Sequence, residues 1–581
     1  MAFETTVQNF VHKLEEGGWA SRLRLLLLIV ALGFMVYLWL FSNTGYKGLA
    51  HEKAMEQAQI SREIARGNGF TTKMTRPAAM WLFERNMGKF PVEQQPDIFH
   101  APLGPWVNSW FLLLVKDTWQ LTPKNFQYQP DRMIAGVGLL CFFLAVAVGY
   151  HTAKAIFDRR LAVFAALMLL VCQRFWDFAL SGLPQSLMLL LFACTVHVLF
   201  RAVQAQEEAR RSWPWLLGAG AGFGLLALAH ALTIWIFAGA LIFSAFYFRP
   251  RARSVAILAG VFVLFYGPWL VRNQIVCGTP VGLGWYSGLY GARGKSENYE
   301  MRSMKLDLTE ITPRYFRGKV QNESIRQLDG LYAFLGGVIA APVFFFALLH
   351  IFKRPETAMF RWCVLAMWLG GFIGMGVFGF SEQTGLFAND LHLLFIPVMT
   401  FYGLAFILVM WSRLQITARF FRLSFLGALY FISAIPFIDT VLDLLGPPMG
   451  RVAWPPYIPP YIAIMNQWTN EKEIITSDMP WAVAWYADRN SLWLPLTLKD
   501  FLDLNDYGRL NGQIVGLYLT PLTGNRAFIS EIMKGDYKEW AQFITRNVSA
   551  RDFPLKYVTG LPIDNECVFY SDRDRWTNRE D

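Results

Sequence analysis

Met133-Ile134-Ala135-Gly136-Val137-Gly138-Leu139-Leu140-Cys141-Phe142-Phe143-Leu144-Ala145-Val146-Ala147-Val148-Gly149-Tyr150 carries no Asp, Glu, Lys or Arg along its whole length. A helix rises about 1.5 Å per residue, so a run like this approaches the thickness of a bilayer's hydrocarbon core. No water reaches that core to pair stray backbone groups, so such a run crosses it as a helix. Comparable runs lie at 23–41, 161–176, 183–202, 214–229, 232–248, 254–271, 330–352, 361–380, 391–411 and 420–443. With 133–152 they predict a polytopic α-helical membrane protein of about eleven spans. The run from Leu23 to Phe41 is longer than a signal-peptide core and no small-x-small site follows it, so it reads as a retained span.

Composition agrees. The chain of 581 residues is 54% hydrophobic and 17% charged, whereas soluble domains average about 25% charged. Lys and Arg gather at Lys13, Arg22 and Arg24; Lys154, Arg159 and Arg160; Arg201, Arg210 and Arg211; Arg249, Arg251 and Arg253; Lys353, Arg354 and Arg361; and Arg413, Arg419 and Arg422. If every run spans, all of these clusters fall on one side, which the positive-inside rule makes cytoplasmic. The N-terminus is then inside and the tail outside. The net charge of +10 reads as topology and anionic-lipid contact, not nucleic-acid binding.

This arrangement predicts a transmembrane domain over 1–445, with large outer loops at about 43–132 and 272–329, and an outer domain over 446–581. No internal repeat is evident, which weighs mildly against a transporter built from two related halves. The tail opens on Trp454-Pro455-Pro456-Tyr457-Ile458-Pro459-Pro460. Glu473–Ser477, Ser491–Pro495, Ile514–Thr520 and Glu566–Ser571 read as strands. Met479–Ala487, Leu498–Leu504 and Phe528–Lys534 read as helices. A small α/β domain is expected. Asp572-Arg573-Asp574 spells a metal-binding motif of nucleotide-sugar transferases, but three residues near a chain end are weak evidence. Cys277 and Cys567, both on the outer side, are available to pair.

The first outer loop carries the chemistry. It contains His51-Glu52-Lys53-Ala54-Met55-Glu56-Gln57-Ala58-Gln59-Ile60-Ser61-Arg62 and Asp97-Ile98-Phe99-His100-Ala101-Pro102-Leu103-Gly104-Pro105. On a helix Glu52, Glu56 and Glu63 share a face, and crowded acids raise the pKa of at least one, which suits a general base. His100 is placed to contact a phosphate. Arg272 ends a span in Gly267-Pro268-Trp269-Leu270-Val271-Arg272-Asn273, at headgroup depth. Arg293, Lys295, Arg302, Lys305, Arg314, Arg317, Lys319 and Arg326 place basic charge on the outer side, where a lipid phosphate would explain it. Asp177, a lone acid among aromatics, is costly at an interface unless used or paired.

These pieces together resemble the GT-C membrane glycosyltransferases of family 39, which include the protein O-mannosyltransferases and the aminoarabinose transferases. The resemblance covers most of residues 20–330. It rests on an acid near the start of the first outer loop, the helix Ile60-Ser61-Arg62-Glu63-Ile64-Ala65-Arg66, His100-Ala101-Pro102-Leu103, Ser181-Gly182-Leu183-Pro184-Gln185, and Pro268 to Asn273. It departs from the family at His51-Glu52, where the family has Asp-Glu or Asp, and at Gln185, where an acid is expected. The resemblance implies a polyprenyl-phosphate sugar donor and a single inverting displacement onto an acceptor hydroxyl of a protein, lipid or glycan. Glu56 or Glu52 takes the base role, with Asp177 the remaining acid. Arg272, His100, Arg62, Arg293 and Lys295 are candidates for the lipid phosphate. No cofactor is implied, no metal-ligand cluster stands out, and a bacterial inner membrane is the expected location. The alternative is a non-catalytic or transport role for lipid-linked sugars.

Overall fold

The computed structural model describes residues 46–577 apart from 47, 50, 89, 91–93, 123–126, 290–296, 307–308, 310, 380–385, 415–418, 446–458, 507–509, 511, 521–522, 524–536, 547–552 and 561–566. The run at 23–41, Arg293, Lys295 and the helix expected at 528–534 lie outside these residues.

The loop after the first expected span folds into helix α1 (Glu52–Ala65), a short strand β1 (Met74–Thr75), α2 (Pro77–Met87) and α3 (Leu103–Leu112). The membrane part follows as α4 (Gln129–Ile156), α5 (Arg159–Leu170), α6 (Gln173–Ser181), α7 (Gln185–Glu207), α8 (Trp213–Ala229), α9 (Thr233–Tyr247) and α10 (Arg251–Cys277). After α11 (Pro313–Asp329) come α12 (Pro355–Phe378), α13 (His392–Arg413) and α14 (Arg419–Leu445). Among the described residues, six helices are long and apolar enough to cross a bilayer. Helices α5 and α6, bent by 55° at their junction, make a seventh span if taken together, and α8 and α9 are shorter apolar helices.

One expected span takes a different form. Residues 330–352 hold two short helices, Leu331–Phe334 and Phe344–Ala347. Gly336 and Gly337 have φ of +73° and +66°, a left-handed conformation that stops a helix and that glycine adopts without a Cβ clash. Elsewhere small residues draw helices together. A Cβ on Gly239 of α9 would lie 2.1 Å from the Ala366 carbonyl oxygen of α12, and one on Gly370 of α12 would lie 2.1 Å from the Trp235 carbonyl oxygen. Close backbone approach of this kind is how helices gain dispersion contact where burial from water gives none.

The tail supplies β2 (Ile474–Ser477), β3 (Asn490–Trp493), α15 (Leu498–Asp506), β4 (Ile514–Leu519), β5 (Tyr557–Gly560) and β6 (Val568–Ser571). The strands run β1-β3-β2-β4-β6-β5 in one sheet. The first four are parallel, and β6 is antiparallel to both β4 and β5. The edge strand β1 comes from the first loop, with Met74 opposite Ser491 and Thr75 opposite Leu492. Loop and tail therefore fold together as one head. Its apolar core runs from Met55 and Ala58 of α1 through Phe83 of α2 to Trp485, Phe501 and Phe569. Cys277 and Cys567 are buried thiols and do not form a disulfide. The Cys277 Sγ donates to the Asn273 carbonyl at 3.2 Å.

Candidate functional site

Helix α1 begins at His51, whose extended backbone and Nδ1 cap the helix by accepting from the Lys53 N–H. Its acids then diverge. Glu63 accepts from Arg66 at 2.8 Å and from Asn68 at 2.7 Å. Glu56, 2% exposed, bonds to the Arg76 guanidinium and forms an ion pair with His100, whose Nε2 lies 2.8 Å away. The expected crowding of acids is therefore corrected. Burial does push the Glu56 carboxyl up, but the Arg76 charge, with the bond and charge of His100, more than offsets this and leaves its pKa below the usual value.

His100 is held from both ring nitrogens, with Nδ1 3.3 Å from Asp97 Oδ2. The other oxygen of Asp97 accepts from the backbone N–H of Phe99 at 3.0 Å and of His100 at 2.8 Å. This local turn, which Asp readily forms, sets the His100 backbone. Burial alone would lower the His100 pKa. The Asp97 charge and bond, followed by those of Glu56, raise it above the ordinary imidazole value. Asp97 is in turn held at about 2: burial raises it, and His100 and then Arg76 pull it down. Arg76 lies over the Phe99 ring at 4.2 Å. The four side chains Glu56, Arg76, Asp97 and His100 form a buried set of alternating charge.

A cavity of about 300 Å³ opens beside this set. Lys53, Gln57 and His100 line it, together with His230, Trp235 and Trp285. His230 reaches it because the chain between α8 and α9 is extended there, with φ −158° and ψ 120°. Asn273 and Trp269 of α10 also face the space. Arg272 sits beside them, where its Nη1 donates to the Asp97 carbonyl at 2.6 Å and its guanidinium packs 4.8 Å from the Trp269 ring centroid.

The structure thus gathers Glu56, His100 and Arg272, and adds Arg76 and Asp97. The other predicted residues stand elsewhere. Glu52 sits in the first turn of α1 and does not line the cavity. Asp177 accepts from Gln173 on its own helix α6 at 2.5 Å and does not line the cavity. Arg62 is fully buried and points into the tail, donating to the carbonyls of Trp485 at 2.8 Å and Ala484 at 2.7 Å. Of the basic loop, Arg302 donates to the Leu494 carbonyl at 2.7 Å and lies over Tyr537, and buried Lys319 bonds the Gly288 carbonyl. Arg302 thus braces the tail, and Lys319 ties α11 to the segment at Gly288. Gln185 is buried and donates to the carbonyl of Ala388, a cavity-lining residue, at 2.5 Å. Asp572 pairs with Arg575 at 2.9 Å, and Asp574 accepts from the N–H groups of Trp576 and Thr577. Among the described residues no group of His, Cys, Asp and Glu is arranged to hold a metal.

Two signals in the sequence pointed toward the missed residues. Asp97 stands three before His100, a spacing that a local turn closes. Arg76 immediately precedes Pro77, which starts α2. Neither signal reveals that Arg76 pairs with Glu56 or that Asp97 is linked to it through His100, because those approaches are made only in the folded chain.

Residues 100–271 match the family model described as dolichyl-phosphate-mannose-protein mannosyltransferase. ArnT from Cupriavidus metallidurans bound to undecaprenyl phosphate superposes with a TM-score of 0.51 at 12% identity, covering 96% of this chain and 98% of that one. Its apo state gives a TM-score of 0.53 at 13% identity, covering 95% and 98%. The archaeal oligosaccharyltransferase AglB from Archaeoglobus fulgidus, in complex with an inhibitory peptide and a dolichol-phosphate, gives 0.53 at 12% identity over 90% of this chain and 72% of that one. No curated protein matches by sequence. The chain has the GT-C fold and is a multi-pass membrane protein.

Proposed function

We propose that the protein transfers a sugar from a polyprenyl-phosphate donor to an acceptor hydroxyl, with inversion, at the cavity beside His100. The observation that carries this is the buried Glu56–His100–Asp97 set at a cavity wall, in a fold shared with a structure bound to undecaprenyl phosphate. The acceptor oxygen attacks the anomeric carbon as its bond to the lipid phosphate breaks. The hydroxyl proton passes to Glu56, and the polyprenyl phosphate leaves as the anion. Lys53 and Gln57, three before and one after Glu56 on α1, line the cavity, so the incoming hydroxyl approaches beside them. The Glu56–His100 contact opens to admit it, as bonds in an empty site rearrange when substrate binds. Arg272 and the His100 imidazolium stabilise charge on the departing phosphate, at the point where it develops. The basic clusters support a site on the extracytoplasmic side with the N-terminus inside, in what we take to be a bacterial inner membrane.

Turnover of a panel of polyprenyl-phosphate sugars by the purified protein in lipid tests the reading. Release of polyprenyl phosphate by wild type that disappears in Glu56→Gln supports it. Full activity in both Glu56→Gln and Glu52→Gln overturns it.

One observation favours a second reading. The titratable residues among the described cavity lining are Lys53, His100, His230 and Tyr266, with no carboxylate among them. Such a wall suits holding a lipid phosphate without transferring its sugar. Saturable donor binding with no release from any donor would select this alternative.

A further inference from the structure

We propose that Asp488, in the tail, is a positioning residue for Glu56, gripping both segments that bring Glu56 and Arg76 together; this rests on the reading of Glu56 as the base. Asp488 follows the π-helical turn Val483–Ala487 with φ of +54° and ψ of +40°. A left-handed backbone of this kind is uncommon for a residue with a Cβ, though Asp tolerates it better than most. The conformation aims its carboxylate at three cations of the first loop. Oδ2 accepts from Arg66 Nη2 at 2.6 Å, and Oδ1 accepts from Arg66 Nη1 at 2.9 Å and from Lys73 Nζ at 2.7 Å. Oδ1 also pairs with Arg62 Nη2 at 3.0 Å.

The two grips act on different segments. Arg62 belongs to α1, which carries Glu56, and Arg66 is its C-cap. Lys73 immediately precedes β1, which leads to Arg76. Beyond Asp488 the chain enters β3, whose Ser491 and Leu492 pair with β1, and the Ser491 N–H donates to the Lys73 carbonyl at 2.8 Å. The two segments are also clipped to each other. Gln59 donates to Thr72 Oγ1 at 2.6 Å and accepts from the Lys73 N–H at 3.0 Å. Asp488 thus fixes the separation of Glu56 from Arg76 without touching either. Bidentate guanidinium–carboxylate pairing holds direction as well as distance.

The test compares Asp488→Asn with wild type, as full-length protein in lipid nanodiscs. Three readouts are taken: steady-state transfer, binding of polyprenyl phosphate as the probe, and amide hydrogen exchange over residues 52–76. The expected result is a fall in kcat of tenfold or more, polyprenyl-phosphate affinity within twofold of wild type, and faster exchange across α1 and β1. Asp488→Glu, which keeps the charge, recovers part of kcat. Unchanged kcat alongside a lowered unfolding temperature assigns Asp488 to stability only and overturns the proposal. If Asp488→Asn fails to fold, Arg66→Gln replaces it, because the half-buried Arg66 side chain tolerates the change; the same signature, smaller, is expected, and its absence overturns the proposal. Glu56→Gln run in parallel separates the two ideas. An active Glu56→Gln defeats the base assignment, whereas an inactive Glu56→Gln beside a fully active Asp488→Asn defeats only the positioning role.

Discussion

His100 lines the cavity and Glu56 does not, yet His100 Nε2 and Glu56 Oε2 are 2.8 Å apart. The imidazole links the carboxylate to the cavity wall. His100 is therefore both part of the wall and the counter-charge of the carboxylate behind it.

Glu56→Gln keeps the shape of the side chain and removes its charge. General base catalysis contributes about 10²–10⁴-fold. Transfer should fall within that range while polyprenyl-phosphate binding persists. Glu52→Gln, at the first turn of α1, should stay within a few-fold of wild type. Release of polyprenyl phosphate measures both.

His100→Ala leaves Glu56 and Asp97 buried with Arg76 as their shared cation. Breaking a buried pair by removing one partner costs about 3–5 kcal/mol. The unfolding temperature should drop clearly, and more than for His230→Ala, which tests the cavity wall without touching the charge set. Equal drops would show that the charge set adds nothing.

The same groups set a pH profile. Asp97 is held at about 2 against an ordinary 3.8, so its contribution to stability is present above 3.8 and is lost as pH falls through about 2. His100 is raised above 6.5, so its contribution is complete below 6.5 and is lost as pH rises through its folded value. Stability measured by thermal unfolding should be highest between the two and decline on each side. His100→Gln should flatten the alkaline decline, and a variant that keeps it would assign that limb to other groups.

Arg272 bonds the carbonyls of Asp97 and Phe70. A hydrogen bond to a charged group contributes about 1.5–3 kcal/mol. If one is also made to the lipid phosphate, Arg272→Ala should weaken polyprenyl-phosphate binding by roughly ten- to a hundredfold. Unchanged binding with a lower unfolding temperature would make Arg272 a brace for the Asp97 turn alone.

Gly239 and Gly370 lie where α9 and α12 come close, and a Cβ added at either would be 2.1 Å from a facing carbonyl oxygen. Gly239→Ala and Gly370→Ala should each destabilise the protein by about 1–3 kcal/mol, the usual cost of overpacking. Gly260→Ala, where a Cβ meets nothing within 4 Å, is the control and should be neutral in the same assay.

The sequence made the membrane helices legible because the bilayer demands long apolar runs, and the Gly336-Gly337 pair explains the run that broke. Four strands of the tail were legible from their β-branched and aromatic residues. The edge strand Met74–Thr75 was not, since a two-residue strand exists only through its partner β3. Glu56 and His100 were legible as types suited to the chemistry. Arg62 was read as a ligand for phosphate because a helix position gives a side chain's face but not what folds over that face. In the protein that face meets the carbonyls of Ala484 and Trp485. Arg302 and Lys319 are likewise covered, each bonding a backbone carbonyl.

The sheet that borrows its edge from the first loop bears on how this protein can be rearranged. Transplanting the tail onto a related membrane part would strip β3 of its neighbour β1 and leave Asp488 without its three cations. A workable hybrid has to move residues 51–100 and 459–577 as a matched pair. In lineages that exchange such parts, the two stretches should be inherited together.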